Sequence, residues 1–170
     1  MSRHFLIEAD GGSRGNPGES GSGAVVMDRV TGEILVEISE YIGHATNNVA
    51  EYRALLAGVR EALALDADCD LDVRMDSKLV IEQMSGAWKI KHPDMRVLAK
   101  RARAVFPPGQ VTYTWVPREQ NRLADALVNE MIDRALAGLA HGHHVLLLEG
   151  AAALALAHVH IRGAQAVVLQ

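Results

Sequence analysis

The feature that most constrains the fold is a change of hydrophobic period at Asn47. Before it lie three short β-rich runs, 4–10 (HFLIEAD), 23–28 (GAVVMD) and 33–41 (EILVEISEY), separated by turn-forming residues. That pattern belongs to consecutive antiparallel strands. After it, Tyr52, Leu55, Leu56, Val59 and Leu63 recur at helical spacing behind Thr46 or Asn47 as N-cap, which predicts a helix over about 48–65. The chain therefore opens as a meander that hands over to a helix.

The next segments extend this into a mixed α/β pattern. Leu71, Val73 and Met75 alternate with Asp72, Arg74 and Asp76, as in a strand with one buried and one polar face. Ser77 caps a short helix (KLVIEQM), and a second helix over about 94–105 stops at Pro107 and Pro108. VTYTWV (111–116) reads as a strand, and Asn121 is placed to cap a helix running to about Leu136. The predicted order is βββαβααβα, one α/β domain over 1–138. Residues 139–170 differ: almost uncharged, rich in Ala and Leu, and holding five of the eight His. Glu149 and Gly150 keep the apolar portion too short to span a bilayer, so no membrane is expected. The irregular His spacing matches no metal-ligand pattern. This tail reads as a linker or remnant, expected to be poorly ordered.

With 170 residues, 49% of them hydrophobic, the chain suits a single domain with a real core. One cysteine, Cys69, excludes an internal disulfide, and no leader-like segment opens the chain, so a cytoplasmic, monomeric protein is expected. A net charge of −4 argues against a surface that traps nucleic acid everywhere. Lys89, Lys91, Arg96, Lys100, Arg101 and Arg103 nevertheless cluster, either as a solvated helix face or as a phosphate-contacting patch.

Four acids stand at element ends: Asp10 after the first strand, Glu51 early in the first long helix, Asp76 after the fourth strand, and Asp125 in the first turn of the last helix. Singly, each has an ordinary explanation as a turn former or a partner of the helix dipole. If the first strand lies beside the fourth, Asp10 and Asp76 become neighbours, and like charges that close raise one another's pKa. Divalent cations relieve that repulsion. An oxygen-only set suits Mg²⁺ or Mn²⁺ rather than Zn²⁺.

The blocks DGGSRGNPG (10–18), TNNVAEYRALLAGV (46–59), MDSKLVI (75–81) and WVPREQNRLADALVNE (115–130) resemble the signature blocks of type 1 ribonuclease H, in the same order. The resemblance implies a ribonuclease H-like fold: a five-stranded mixed sheet, three antiparallel strands plus two parallel ones, flanked by helices. It also implies endonucleolytic hydrolysis of the RNA strand of RNA–DNA hybrids, leaving 3′-hydroxyl and 5′-phosphate ends. Asp10, Glu51, Asp76 and Asp125 correspond to the ligands of two metal ions per site. Backbone at Gly11, Gly12 and Ser13 corresponds to contacts with RNA 2′-hydroxyls. Asn16 and Thr46 correspond to a DNA-phosphate seat and Asn48 to base or sugar contacts, while Asn47 is either another hybrid contact or the helix cap.

Two departures from the family pattern stand out. Many relatives carry a His in the loop before the last acid; here VPREQNRLAD has none, and Arg118 and Glu119 stand there, as in archaeal and actinobacterial-like relatives. Arg118 suits a phosphate but not proton transfer near neutral pH. The basic protrusion of some bacterial members is reduced to GAWKIKHPDM (86–95), leaving Trp88 to stack on the DNA strand or to cover a core edge. Double-stranded RNA is a further candidate substrate. The rival reading is a hybrid-binding module without catalysis, against which all four acids are present.

Overall fold

Three antiparallel strands open the chain: β1 (His4–Arg14), β2 (Gly18–Asp28) and β3 (Ile34–Ala45). The computed structural model describes residues 3–138, 143–147 and 165–168. β1 and β2 are longer than their apolar runs suggest, because the Gly-rich stretch 11–23 is itself a paired hairpin. Gly11 pairs with Ser22, Gly12 with Gly21, and Arg14 with Glu19. Asp10 thus lies inside a strand rather than at its exit. The turn between β2 and β3 is closed by the Asp28 carboxylate, which accepts from Val30 N at 2.9 Å and Thr31 N at 3.0 Å.

Helix α1 (Asn47–Leu65) follows, capped by Thr46, whose Oγ1 accepts from Val49 N. β4 (Asp70–Met75) then pairs parallel to β1, His4 with Asp70 through Glu8 with Arg74. Helix α2 (Lys78–Met84) starts on Ser77, and α3 (Pro93–Arg103) on His92. α3 ends two residues earlier than its sequence suggests. β5 (Val111–Trp115) adds parallel to β4, and α4 (Arg122–Leu136) closes the domain. Asn121 occupies the N-cap position of α4 but makes no side-chain capping bond, contrary to the expected cap.

The strands of 1–138 form the expected five-stranded mixed sheet, in the order β5-β4-β1-β2-β3. Two pieces of the tail extend it. β6 (His143–Leu147) pairs antiparallel with β3, and β7 (Gln165–Val168) pairs parallel with β6. Within the stretch read as a linker or remnant these two segments are strands, and the rest of 139–170 lies outside the described residues. The short apolar run VLLL carries no alternation that marks it as an edge strand, but Val145 is buried against the β3 side of the core. Among the described residues, no helix is long and apolar enough to cross a membrane.

α1 covers one sheet face, where Phe5, Ile7, Ala9, Val26, Tyr52, Leu55 and Val59 form the core. α4 covers the other, lying on glycines. A Cβ at Gly12 would meet Val128, and one at Gly23 would meet the Ala124 carbonyl at 2.7 Å. On the α1 side a Cβ at Gly11 would stand 2.2 Å from the backbone of both Ala50 and Glu51. Gly11 is therefore what lets the first turns of α1 close onto β1. Gly11→Ala is expected to lower unfolding free energy by about 2 kcal/mol in urea denaturation, the size typical of overpacking. Gly109→Ala, with nothing within 4 Å of the added carbon, serves as the neutral comparison.

Candidate active site

Strand alternation turns Asp10 toward the α4 face, since its cross-strand partner Gly23 faces α4. The parallel register of β1 and β4 ends at Glu8 and Arg74; carried two residues further, it sets Asp10 opposite Asp76. Glu51 arrives from α1, brought close by the missing side chain of Gly11. Ser22 Oγ fastens that turn to β2 by donating to the Ala50 carbonyl at 2.6 Å. Asp125 arrives from the first turn of α4.

The four carboxylates line one polar cavity of about 340 Å³, together with Gly11, Gly12, Ser13, Asn47 and Arg118. Asp10 is its most buried acid, 8% exposed. Burial first, and then the charges of Asp76, Asp125 and Glu51, push the Asp10 carboxyl up to about 8, against the lowering effect of the Gly11 N–H. Burial also raises Glu51 to about 7, opposed by the Ser77 hydroxyl, which donates to Glu51 Oε2 at 2.8 Å. Two cations line the cavity as well: Arg14, paired with Asp133 at 2.7 Å, and Arg118, whose guanidinium lies 3.4 Å from Asp125 Oδ1 and is largely in solvent.

The donor set is all oxygen, partly buried and mutually repulsive, which fits a hard divalent cation. Among the described residues, no three acidic, His or Cys side chains are drawn together tightly enough to form a coordination shell by themselves. The four acids share one cavity, and Mg²⁺, which keeps several waters, needs only one or two carboxylates directly.

The other expected contacts are dispersed. The Asn16 carboxamide oxygen accepts from Asn47 N at 3.2 Å, so it organises the rim from the turn between β1 and β2. The Thr46 hydroxyl is used in the cap of α1. Asn48 does not line the cavity. Ser13 Oγ donates to the Ala45 carbonyl at 3.1 Å and to that of Gly15, so its side chain serves the hairpin. Trp88 lies apart, 46% exposed, beside a second depression lined by Lys89, Arg96, Lys100 and Arg103. Two residues with roles in the acid cluster read in the sequence only as caps: Ser77, bonded to Glu51, and Asn121, whose Nδ2 donates to Asp76 Oδ1 at 2.8 Å. Asn121 precedes Asp125 by one helical turn, which was the available signal.

This geometry has relatives. The Reverse transcriptase-like family model matches residues 8–131. The N-terminal RNase H domain of Rv2228c from Mycobacterium tuberculosis is 51% identical, with a TM-score of 0.75, over 82% of this chain and 100% of that one. The chain belongs to the type 1 ribonuclease H family. The ribonuclease H1 of Halobacterium salinarum superposes with a TM-score of 0.69 at 42% identity, over 78% of this chain and 98% of that one. LC11-RNase H1, solved in complex with an RNA/DNA hybrid, gives a TM-score of 0.72 at 40% identity over 78% and 99% of the two chains. Against full-length Rv2228c, described as a bifunctional protein, identity is 53% over 131 residues. That match covers 76% of this chain and 36% of the mycobacterial protein, so the chain spans about a third of that relative's length.

The raised acids make a prediction about stability. A carboxyl whose folded pKa lies above its unfolded value binds protons more tightly in the folded state. Stability is then highest below the ordinary carboxylate range and falls as pH rises toward the folded values of about 7 and 8. The melting temperature in EDTA is expected to drop between pH 5 and about pH 8. Asp10→Asn should flatten that slope.

Proposed function

We propose that the chain is an endoribonuclease that hydrolyses the RNA strand of RNA–DNA hybrids, using divalent cations held by Asp10, Glu51, Asp76 and Asp125. One observation carries the reading: four acids from four separate elements line a single cavity whose wall is the Gly-rich backbone of β1. A structural ion-pair network would give each acid a basic partner; here Asp125 has Arg118, while among the described residues no ion pair reaches Asp10, Glu51 or Asp76. The hybrid held by LC11-RNase H1, 40% identical, supports the substrate class.

Two Mg²⁺ or Mn²⁺ ions would activate water for in-line attack and stabilise the departing 3′-oxygen, leaving 3′-hydroxyl and 5′-phosphate ends. The protein's own residues do the remainder. Backbone at Gly11 and Gly12 lines the cavity, and a 2′-hydroxyl within reach of its main-chain groups distinguishes RNA from DNA. Arg118, always charged, binds the scissile or product phosphate at the mouth of the cavity.

The DNA strand is assigned to the Trp88 side. The loop bearing Trp88 is held from below: Tyr52 Oη donates to Gln83 Oε1 at 2.7 Å, and Gln83 Nε2 donates to the Lys89 carbonyl at 3.1 Å. Arg96 Nε donates to the Ile90 carbonyl at 2.7 Å. An exposed indole on a fixed loop, flanked by Lys89, Arg96, Lys100 and Arg103, can stack on a strand whose phosphates those cations neutralise.

Cleavage of an end-labelled RNA–DNA hybrid tests this. Internal cuts in the RNA strand are expected with Mg²⁺ or Mn²⁺, none in EDTA, and none with Asp10→Asn. Arg118→Ala should lower turnover with hybrid affinity little changed. Tight hybrid binding without cleavage under either metal would replace the enzyme with a hybrid-binding module.

A further inference from the structure

We infer that Asn121 is a positioning residue that sets the cation affinity of the acid cluster, by clamping the Asp76 carboxylate and the β1 backbone to the start of α4. This rests on the cation-binding reading above and adds to it a residue outside the ring of acids.

Asn121 is fully buried. Its amide nitrogen donates to the Ala9 carbonyl and to Asp76 Oδ1, each at 2.8 Å. Because both partners are acceptors, only the NH₂ end of the carboxamide can face them. Its backbone carbonyl accepts from Asp125 N at 3.1 Å, and its own N–H donates to the Arg118 carbonyl at 2.9 Å. A single residue thus joins the strand position before Asp10, the Asp76 side chain, the Arg118 turn and the helical turn that carries Asp125.

The orientation is costly for the fold, which is what separates this role from a cap. An Asn at an N-cap ordinarily accepts from the second or third helical N–H. Here no such bond forms, and Asn121 Oδ1 is buried without a hydrogen-bond partner, which disfavours this orientation. The side chain is turned toward the acids instead. Trp115 Nε1 donates to the Asp76 carbonyl at 3.2 Å and Val116 N to the Met75 carbonyl at 2.9 Å, so the Asp76 backbone is fixed from the β5 side while Asn121 fixes its carboxylate.

The choice of an amide matters. Asp72, four residues earlier and inside β4, is held by Arg74 at 3.0 Å and its charge is thereby balanced. An amide holds Asp76 equally firmly without supplying positive charge, so the demand for a cation persists. Without Asn121, repulsion from Asp10 turns the Asp76 carboxylate away, and a cation must reorder it on binding. Such outer partners typically carry about 10–100-fold of metal affinity.

Calorimetric titration of the full chain with Mn²⁺ tests this, alongside hybrid binding in EDTA. Wild type against Asp10→Asn comes first: no Mn²⁺ isotherm in wild type would overturn the cation reading, and this inference with it. With that isotherm in place, Asn121→Ala is expected to weaken Mn²⁺ by about 10–100-fold, leaving hybrid affinity in EDTA within about twofold because the hybrid contacts lie elsewhere. Adding Asn121→Ala to Asp76→Asn should cost no further Mn²⁺ affinity. Unchanged Mn²⁺ affinity in Asn121→Ala, an equal loss of hybrid affinity, or a full further loss in the double variant would each overturn the assignment. If Asn121→Ala is unfolded at the titration temperature, Asn121→Ser carries the test, since its hydroxyl reaches at most one of the two acceptors. A wild-type Mn²⁺-induced rise in melting temperature in that variant would overturn the assignment as well.

Discussion

Mutual repulsion among Asp10, Glu51, Asp76 and Asp125 is the interaction around which the rest of this domain is arranged. Four carboxylates on one flexible segment would separate into water. Here each is carried on a different element, and the elements are locked by forces that owe nothing to the acids: the β1–β4 ladder, the apolar core under α1, and the packing of α4 on a glycine surface. The fold holds the charges in place, and burial magnifies what they do to one another, most of all at Asp10.

The treatment of other acids shows that this is selective. Asp72 on the same strand as the Asp76 end is buried yet satisfied, taking Arg74 Nε and the Thr114 hydroxyl at 3.0 and 2.9 Å. Glu40 pairs with Arg53. Among the described residues, no ion pair reaches Asp10, Glu51 or Asp76. Those three are instead held by neutral donors: the Gly11 N–H for Asp10, the Ser77 hydroxyl for Glu51 and the Asn121 amide for Asp76. Neutral donors give direction without discharging the site, a division of labour suited to acids that await a cation.

Much of this was legible in the residues. The acids declare themselves by standing near the ends of elements whose periodicity is clear, such as Asp76 after the alternating Leu71, Val73 and Met75. The hairpin from Gly11 to Gly23 did not, because glycine offers no alternation to read; the strand there is dictated by what lies above and below it, Glu51 on one side and Val128 on the other. Ser77 does cap α2, accepting from Val80 N at 3.3 Å, but its bond to Glu51, like the turn of Asn121 away from its cap, is not written in the local sequence. A residue before a helix is a cap by local rules, and only the tertiary placement of β1, β4 and α1 turns those side chains onto carboxylates. The strands His143–Leu147 and Gln165–Val168 depend on the open edge of β3, which no local pattern in the tail announces.

If repulsion among the acids is the basis of cation binding, then binding must displace protons. Calorimetry of Mn²⁺ binding in buffers of different ionisation enthalpy measures that exchange directly. With Asp10 near 8 and Glu51 near 7, at least about one proton should leave per protein at pH 7, and almost none at pH 9. A binding enthalpy independent of buffer at pH 7 would mean that the acids are already ionised, and would contradict the account at its base.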